Sequence, residues 1–450
     1  MLEDGKTEVC TFGEMQMPLR LEDAVERSLC NSPKTREAWA TVKIQAAAVG
    51  IGRAAYLPTV SATWQGVRDH SVSDINGFPQ YSSNYRNLLK TDSVSLSWVL
   101  YDFGGRDAAL QNATALLAAA QANQQAALEA AFATVAKDYY AAQAAQGAFV
   151  AAQQIEQTAN DSFAAATARV NKGVAPITDE LQAQTSHAEA VLSRTKAYGD
   201  WQAALGTLAA DMDLNPSVQI ALPDVDEGVA PDNDFTESVA SLIEDAKQSH
   251  PSVIAAEAQE EAARDKVAET RAEGLPSLSF VAKYSQNNQP TSLEIGLPQL
   301  PANGHESYFG LQLTIPIFSG FGQTYQIREA QAQTELQADT VEEVRQQVGL
   351  DVWNSYQVLQ TATHNLGNSA TLLDIARRSY TATQHRYQVG VGSVLELLNA
   401  QSSLATAKRQ RIQALTDWRS SRLQLAAKLG KLGMWDIRSG SLPDVEETSQ

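Results

Sequence analysis

The six histidines are the side chains of this sequence best suited to catalysis or metal binding, and their spacing serves neither. They are His70, His187, His250, His305, His364 and His385. A metal site on one helical face needs two ligands about four residues apart, and no two of these histidines have that spacing. The glycines at 104–105 and 320–322 also lack the pattern of a phosphate-binding loop. The sequence therefore predicts neither an enzyme nor a cofactor.

The two cysteines, Cys10 and Cys30, leave two possibilities open. Two thiols in a long chain fit either one disulfide, formed in an oxidising compartment, or two ordinary buried cysteines. A Cys10–Cys30 disulfide is accordingly predicted only for an oxidising location.

The charge balance limits the partners of the chain. Lys+Arg number 34 and Asp+Glu number 52, so the formal net charge is −18. This excess of acid argues against nucleic acid or anionic lipid as a main partner. No apolar run approaches the roughly 20 residues of a membrane-spanning helix. The first residues also lack the charged and then apolar pattern of a signal peptide. These features alone would predict a soluble protein, and the strands described below argue against it.

Two polar turns carry the remaining candidate residues, and they are copies of each other. The first occupies residues 169–184 and the second residues 386–401. Their arginines, glycines, acidic residues and Ala-Gln pairs are each separated by 217 positions (386 − 169, 390 − 173, 396 − 179 and 400 − 183). A constant separation indicates that the chain is internally duplicated.

Each turn joins two long helical segments. In the first copy, helices are predicted over about 106–171 and 176–211, and in the second over about 320–388 and from the turn to about residue 429. A helix over 106–171 would extend about 100 Å at 1.5 Å per residue. Ordinary globular helices average about 11–12 residues, so such lengths indicate a coiled coil or a tubular assembly.

Two stretches of alternating polarity precede each long helix. Their apolar positions are Val60, Ala62 and Trp64; Val94, Leu96, Trp98 and Leu100; Leu278, Phe280, Ala282 and Tyr284; and Phe309, Leu311, Leu313, Ile315 and Ile317. Each is predicted to be a strand of about ten residues, with long polar loops at about 69–92 and 286–306. Such strands form either a small antiparallel sheet on a helical core or part of a transmembrane barrel. Equal strand lengths, aromatic residues near the strand ends and long polar loops favour the barrel.

Four strands cannot close a barrel, because the smallest transmembrane barrels have about eight. The chain must therefore oligomerise, as a dimer with eight strands or a trimer with twelve. The predicted organisation is an N-terminal polar segment (1–18), a first repeat (19–212), a connector (213–233), a second repeat (234–430) and an acidic tail (431–450).

The paired turns, the Leu-Pro pairs at 57–58 and 275–276, and the segments 101–106 (Tyr-Asp-Phe-Gly-Gly-Arg) and 318–323 (Phe-Ser-Gly-Phe-Gly-Gln) resemble those of the TolC family. The resemblance covers about residues 19–430. Members of this family are outer-membrane efflux or export ducts of Gram-negative bacteria.

The resemblance implies an α+β membrane protein that forms a homotrimer. Four strands per chain would form a twelve-stranded transmembrane β-barrel in outer-membrane lipid, continued by a long periplasmic α-helical barrel. A periplasmic adaptor and an inner-membrane ABC transporter would dock at its tip and supply the exported substrate, with no nucleic acid involved. The lack of a signal peptide would then mean that the chain is a mature or trimmed form.

Within the family, overall likeness suggests type I secretion of a protein toxin, an adenylate cyclase–haemolysin. Multidrug or metal efflux is the alternative within the family. A soluble helical scaffold or adaptor protein is the alternative from another class.

The resemblance also assigns a pore constriction, or gate, to the turns. Asp179 and Tyr387 match the family's acidic residue in the first turn and its tyrosine in the second. Glu396 matches the first of two acidic ring positions, whereas Asn399 replaces the second. Gly392 stands where an arginine would bridge to the first turn, so a weaker ring and a looser closed state are expected. Three copies of Glu396 would form a cation-selective ring.

A plainer role is open for Asp179, since a carboxylate near a helix N-terminus is stabilising by itself. The turns are further predicted to form the docking surface for the adaptor. The residues assigned to it are Arg169, Lys172, Gly173 and Pro176 in the first turn, and Arg386, Val389, Gly390 and Ser393 in the second. Gly173 and Gly390 are expected to supply backbone freedom.

Overall fold

A computed structural model describes residues 15–224, 238–289 and 302–431. These residues form the same series of six elements twice. The first series is α1 Leu21–Asn31, α2 Pro33–Ala54, β1 Thr59–Ser73, β2 Ser83–Tyr101, α3 Gly105–Asn171 and α4 Ile177–Asp211. The second is α5 Val239–Ser249, α6 Pro251–Glu273, β3 Ser277–Asn287, β4 Gly304–Thr314, α7 Gly322–Gln388 and α8 Val394–Lys428.

The helices around the turns reproduce the separation seen in the sequence. Helices α3 and α7 have 67 residues each, and α4 and α8 have 35 each. Their first residues are 217 positions apart in both pairs (322 − 105 and 394 − 177). The predicted bounds of these four helices are within about two residues of those observed.

A proline sets each break between the two short helices of a repeat. Pro33 begins α2 and Pro251 begins α6, and the residue before each is extended, with ψ 130° at Ser32 and ψ 132° at His250. The proline ring clashes with a helical conformation of the preceding residue, so the first helix ends there. Proline fits well at the start of a helix, where its missing N–H is not needed.

The strands form one antiparallel sheet in the order β1-β2-β3-β4. The predicted apolar residues lie on one face, because they are paired across the strands: Val60 with Leu96, Leu96 with Ala282, and Ala282 with Phe309. This face is open in the single chain, with Val60 65% and Phe309 81% exposed. An apolar face of this extent needs a non-aqueous surrounding. None of the described helices is apolar over a length that would cross a membrane.

The equal strand lengths predicted from the sequence are wrong for the first hairpin. β1 has 15 residues and β2 has 19, whereas β3 and β4 have 11 each. Most of the loop predicted at 69–92 is strand, because the pairing runs from Thr59↔Ser97 to Ser73↔Ser83. Backbone ladder bonds do not require apolar side chains, so the hairpin continues where the alternation has ended. Its connection is residues 74–82, with a 3-10 turn at Pro79–Tyr81.

The chain divides into two compact units that do not follow the repeats, since each takes residues from both. One comprises residues 1–41, 121–255 and 342–450, and the other residues 42–120 and 256–341. The first contains both turns and a core built on Leu19, Leu208 and Met212, all fully buried. The second contains the sheet.

Part of the predicted connector is held against the helices of the first unit. The amide of Leu19 donates to the carbonyl of Ala221, and the side chain of Gln143 donates to the carbonyls of Pro223 and Asp224. Ile220 is buried as well. Residues 225–233 of the connector, 1–14 of the N-terminal segment and 432–450 of the tail lie outside the described residues.

Cys30, in the last turn of α1, is disulfide-bonded. Its predicted partner Cys10 lies outside the described residues, so the Cys10–Cys30 pairing stays a prediction.

Candidate functional site at the paired turns

Both turns begin with the same helix ending. After α3, Gly173 adopts φ 73°, its amide donates to the carbonyl of Val170, and the amide of Val174 donates to that of Arg169. After α7, Gly390 has φ 82°, and the amides of Gly390 and Val391 donate in the same way to Tyr387 and Arg386. This is the Schellman ending, in which a residue with positive φ turns the chain back on the last carbonyls. The predicted backbone role of Gly173 and Gly390 agrees with these angles.

Tyr387 occupies the core between the two turns. It is 3% exposed and packs with Ala166, Ala183, Val394 and Leu397, which come from three further helices. Burial raises the pKa of Tyr387; Arg169 opposes this shift and Asp179 adds to it. The ring is therefore neutral at physiological pH. Asp179 is near enough for its charge to act on the phenol, so the structure brings these two predicted gate residues together.

Arg169 joins the end of α3 to the end of α7. Its Nη1 donates to the carbonyl of Tyr387 at 2.7 Å, and its guanidinium lies 4.8 Å from the centre of the Tyr387 ring. Among the described residues, the Nε of Arg169 and the Oη of Tyr387 are buried without a hydrogen-bond partner. The sequence assigned Arg169 to the docking surface, and its side chain is instead half-buried in this joint.

Asp179 lies in the first turn of α4, half-buried, and its own amide donates to the carbonyl of Pro176. Pro176 occupies the N-cap position and supplies no side-chain cap. A carboxylate in this turn is favoured by the helix dipole, so the plainer role of Asp179 also has structural support. The neighbouring Glu180 accepts from the hydroxyl of Thr167 at 3.1 Å, which ties α4 to α3.

Glu396 lies on the open side of the second turn. Ser393 caps α8 by accepting from the Glu396 amide at 3.2 Å. The Glu396 carboxylate is 3.9 Å from the guanidinium of Arg386, and both side chains are more than half exposed. Asn399 is exposed three residues further along α8. Glu396 and Asn399 therefore face away from the core of the chain, as a ring position requires.

Gly392 has little room for a side chain. A Cβ placed there would lie 3.1 Å from the amide nitrogen of Tyr387 and 3.2 Å from the carbonyl carbon of Arg386. Both atoms are backbone at the end of α7, so this helix end would have to move. In this chain the bridge between the turns starts from Arg169, not from position 392.

The outer surface of the turns is apolar with scattered polar groups. Lys172, Pro176, Val389 and Ser393, predicted for adaptor docking, are all exposed. Large apolar side chains lie around them and are also more than half exposed: Val174, Ile177, Leu181, Val391 and Leu395. A patch of this kind marks an interaction site.

Sequence reasoning missed a carboxyl pair at the far end of α4. Burial and a hydrogen bond with Asp138 raise the pKa of Asp211 to about 6, while Lys34 acts in the opposite direction. The two residues are on α4 and α3, and nothing in their separation along the chain signals that they meet. Elsewhere in the described ranges, no group of three or more His, Cys, Asp or Glu side chains could hold a metal ion.

Known proteins show the same arrangement over most of the chain. A family model described as outer membrane efflux protein matches residues 24–212 and 242–431. Protein CyaE of Bordetella pertussis is 30% identical over 416 residues, covering 92% of this chain and 85% of that protein. Toluene efflux pump outer membrane protein TtgC of Pseudomonas putida is 26% identical over 428 residues, covering 93% and 84%.

Among solved structures, the outer membrane protein VceC from Vibrio cholerae matches with a TM-score of 0.74 and 18% identity, covering 91% of this chain and 96% of that one. At this identity the match bears on the fold alone.

Proposed function

This chain belongs to the outer membrane efflux protein family, and on that premise we propose that it is the exit duct of a type I secretion system for a protein toxin of the adenylate cyclase–haemolysin kind. The observation that carries the substrate class is the 30% identity to CyaE over 92% of the chain. Membership confirms the resemblance to TolC-like proteins and with it the location in the bacterial outer membrane.

The family consists of ducts built from three copies. Each chain gives four strands to a transmembrane barrel of twelve and its long helices to a helical barrel in the periplasm. A periplasmic adaptor and an inner-membrane transporter deliver the substrate. We propose that the duct is passive, without a catalytic step of its own.

The paired turns would form the narrow entrance. Widening it requires the ends of the two helical hairpins to separate, and the Arg169–Tyr387 joint opposes that movement within each chain. Three exposed Glu396 carboxylates, one from each copy, would make the constriction selective for cations. With Asn399 and Gly392 in place of an acid and an arginine, this ring depends on Glu396 alone.

The adaptor would dock on the exposed apolar patch of the turns. Its recognition would be largely non-polar, because Val389 and Val391 are the most prominent side chains of the second turn. Lys172 and Arg386 at the patch add positive charge that suits an acidic rim on the adaptor.

Efflux of small molecules is the second candidate. It is favoured by the 26% identity to the toluene efflux pump protein TtgC over 93% of this chain. A passive wall contacts its cargo only generically, so one duct can in principle serve either machine.

Deletion of the gene tests these alternatives. The proposed function predicts that the toxin disappears from the culture medium, that it returns when the wild-type gene is supplied, and that sensitivity to toluene and antibiotics does not change. Unchanged toxin export together with a rise in drug sensitivity would identify an efflux duct instead.

A further inference from the structure

The two arginines that end α3 and α7 are repeat-related, yet only one is engaged inside the chain. Arg169 is half-buried on Tyr387. Arg386 occupies the same position 217 residues later, but its side chain is 59% exposed. Its contacts are an ion pair of 3.9 Å with Glu396 and a weak bond of 3.5 Å to the carbonyl of Val391.

The position that Arg386 would reach, by analogy with Arg169, has an equivalent in the first turn. Arg169 donates to the carbonyl of Tyr387, whose repeat-related residue is Val170 (387 − 217). The carbonyl of Val170 accepts the Gly173 amide just as that of Tyr387 accepts the Gly390 amide. A carbonyl oxygen has two lone pairs, so each can take one further donor. Val170 is too far along the same repeat for Arg386 to satisfy it as Arg169 satisfies Tyr387, unless another copy supplies the partner.

The helices above the turns show the same asymmetry. Within the chain, α8 packs against α3: the Arg419 Nη1 donates to the Gln143 Oε1 at 2.9 Å, and the Lys408 Nζ donates to the Gln154 Oε1 at 2.7 Å. The Gln401 side chain is directed at the carbonyl of Ile155 at 3.5 Å. The repeat-related surfaces lie on α4 and α7.

Those related surfaces are largely uncovered in the single chain. Moving the contacts by 217 positions gives Gln360, Thr371 and Leu372 on α7, all exposed. On α4 it gives Gln184 and Gln202, also exposed, and the half-buried Val191. The neighbouring Ile375, on the same side of α7, is 58% exposed.

We infer that α7 of one copy packs against α4 of the next in the trimer, as α3 packs against α8 within the chain, and that Arg386 donates to the Val170 carbonyl of that next copy. The occupant of both surfaces is a second copy of this chain, because the identical repeat makes them continue the seam already formed inside it. The pairing presupposes the trimer on which the proposed function also depends.

The chemistry of the two seams differs in a way that suits this pairing. The seam within the chain uses cations, Lys408 and Arg419, on glutamine oxygens. Between copies, the related pairs are Gln202 with Gln360, which can exchange amide hydrogen bonds, and Val191 with Leu372, which are apolar. Neither pair places a charge without a partner in the seam, so both can be buried at little cost. The Arg386 joint would lack a ring to stack on, since Val170 stands in place of Tyr387.

Cysteine crosslinking tests the seam. The variant Gln202→Cys with Gln360→Cys, treated with a short bis-maleimide in the outer membrane, should give covalent dimers and trimers on a denaturing gel. The matched control, Gln143→Cys with Arg419→Cys, should crosslink within the chain and keep the mass of a monomer. Wild-type protein with its two native cysteines is the blank.

The arginines supply a second measurement. Arg386→Met should lower the temperature at which the trimer dissociates by several degrees, because its joint is between copies, whereas Arg169→Met should leave that temperature unchanged. A native-size trimer in which only the control pair crosslinks, or in which Arg169→Met lowers the dissociation temperature as much as Arg386→Met, would overturn the seam and leave the duct intact. A wild-type chain that is monomeric in the membrane would remove the proposed function itself.

Discussion

Replacing Arg169 with methionine should loosen the entrance of the duct. The change removes the 2.7 Å hydrogen bond to the Tyr387 carbonyl and the guanidinium 4.8 Å from the Tyr387 ring, while a flexible apolar side chain of similar reach remains. Because these contacts join the ends of α3 and α7, their loss should let the two hairpins separate more easily. The duct should then spend more time open.

The expected size follows from the two contacts. A hydrogen bond from a charged donor contributes about 1.5–3 kcal/mol, and a cation–π contact at a partly exposed site about 0.5–1 kcal/mol. Arg169 is half-buried, and its Nε is buried without a partner, so part of this gain is already offset by desolvation. A net loss of about 2 kcal/mol corresponds to a shift of about 30-fold in the open–closed equilibrium of one joint.

Single-channel recording in planar bilayers measures this shift. Arg169→Met should raise the mean conductance and the open probability, and Arg169→Lys should have an intermediate effect, since lysine keeps the charge and one donor but not the planar stack. Arg378→Met is the matched control: it removes the same charge from α7, where Arg378 has only an exposed 2.8 Å ion pair with Asp374. If Arg169→Met and Arg378→Met both conduct like the wild type, the joint does not hold the entrance closed.

Three further changes test other parts of the site. Glu396→Gln should weaken both cation selectivity and block by divalent cations, and unchanged values of both in planar bilayers would exclude the carboxylate ring. Asp211→Asn should raise the thermal unfolding midpoint, followed by circular dichroism, at pH 7.5 by an amount equivalent to about 1–3 kcal/mol, and have little effect near pH 4. The reason is that a carboxyl whose pKa is raised by folding gives stability that is present at low pH and is lost as the pH rises through about 6; an equal gain at both pH values would refute the buried carboxyl pair. Gly173→Ala and Gly390→Ala should each destabilise the trimer by about 1 kcal/mol through their positive φ, whereas Gly199→Ala, inside α4 with no atom near its Cβ, should stabilise it slightly; no difference between these variants would contradict the turn geometry.

The sequence predicted the helical part of the fold well. The separation of 217 residues and the absence of helix breakers were enough to place α3, α4, α7 and α8, because local propensity and duplication act along the chain. The breaks at Pro33 and Pro251 follow from proline stereochemistry in the same way. The lengths of β1 and β2 did not follow, since the strand pairing continues through residues whose side chains do not alternate.

The contacts of the site were less predictable. Arg169 was assigned to an exposed docking surface, because its repeat with Arg386 gives no hint that one copy is buried on a tyrosine and the other is open. The difference comes from position 387, where the second turn has Tyr387 and the first has Val170. The shifted pKa of Asp211 depends on its meeting Asp138 from another helix, which no local pattern encodes.

The most direct test of the central claim is to capture the toxin inside the duct during export. A photo-reactive amino acid at Asn399, exposed beside Glu396 on the turn, would be illuminated while a toxin with a folded, non-exportable domain is stalled in the machine. The account predicts a crosslink between position 399 and the toxin polypeptide that requires both the transporter and the adaptor. Toxin reaching the medium while position 399 crosslinks only to the adaptor would contradict it.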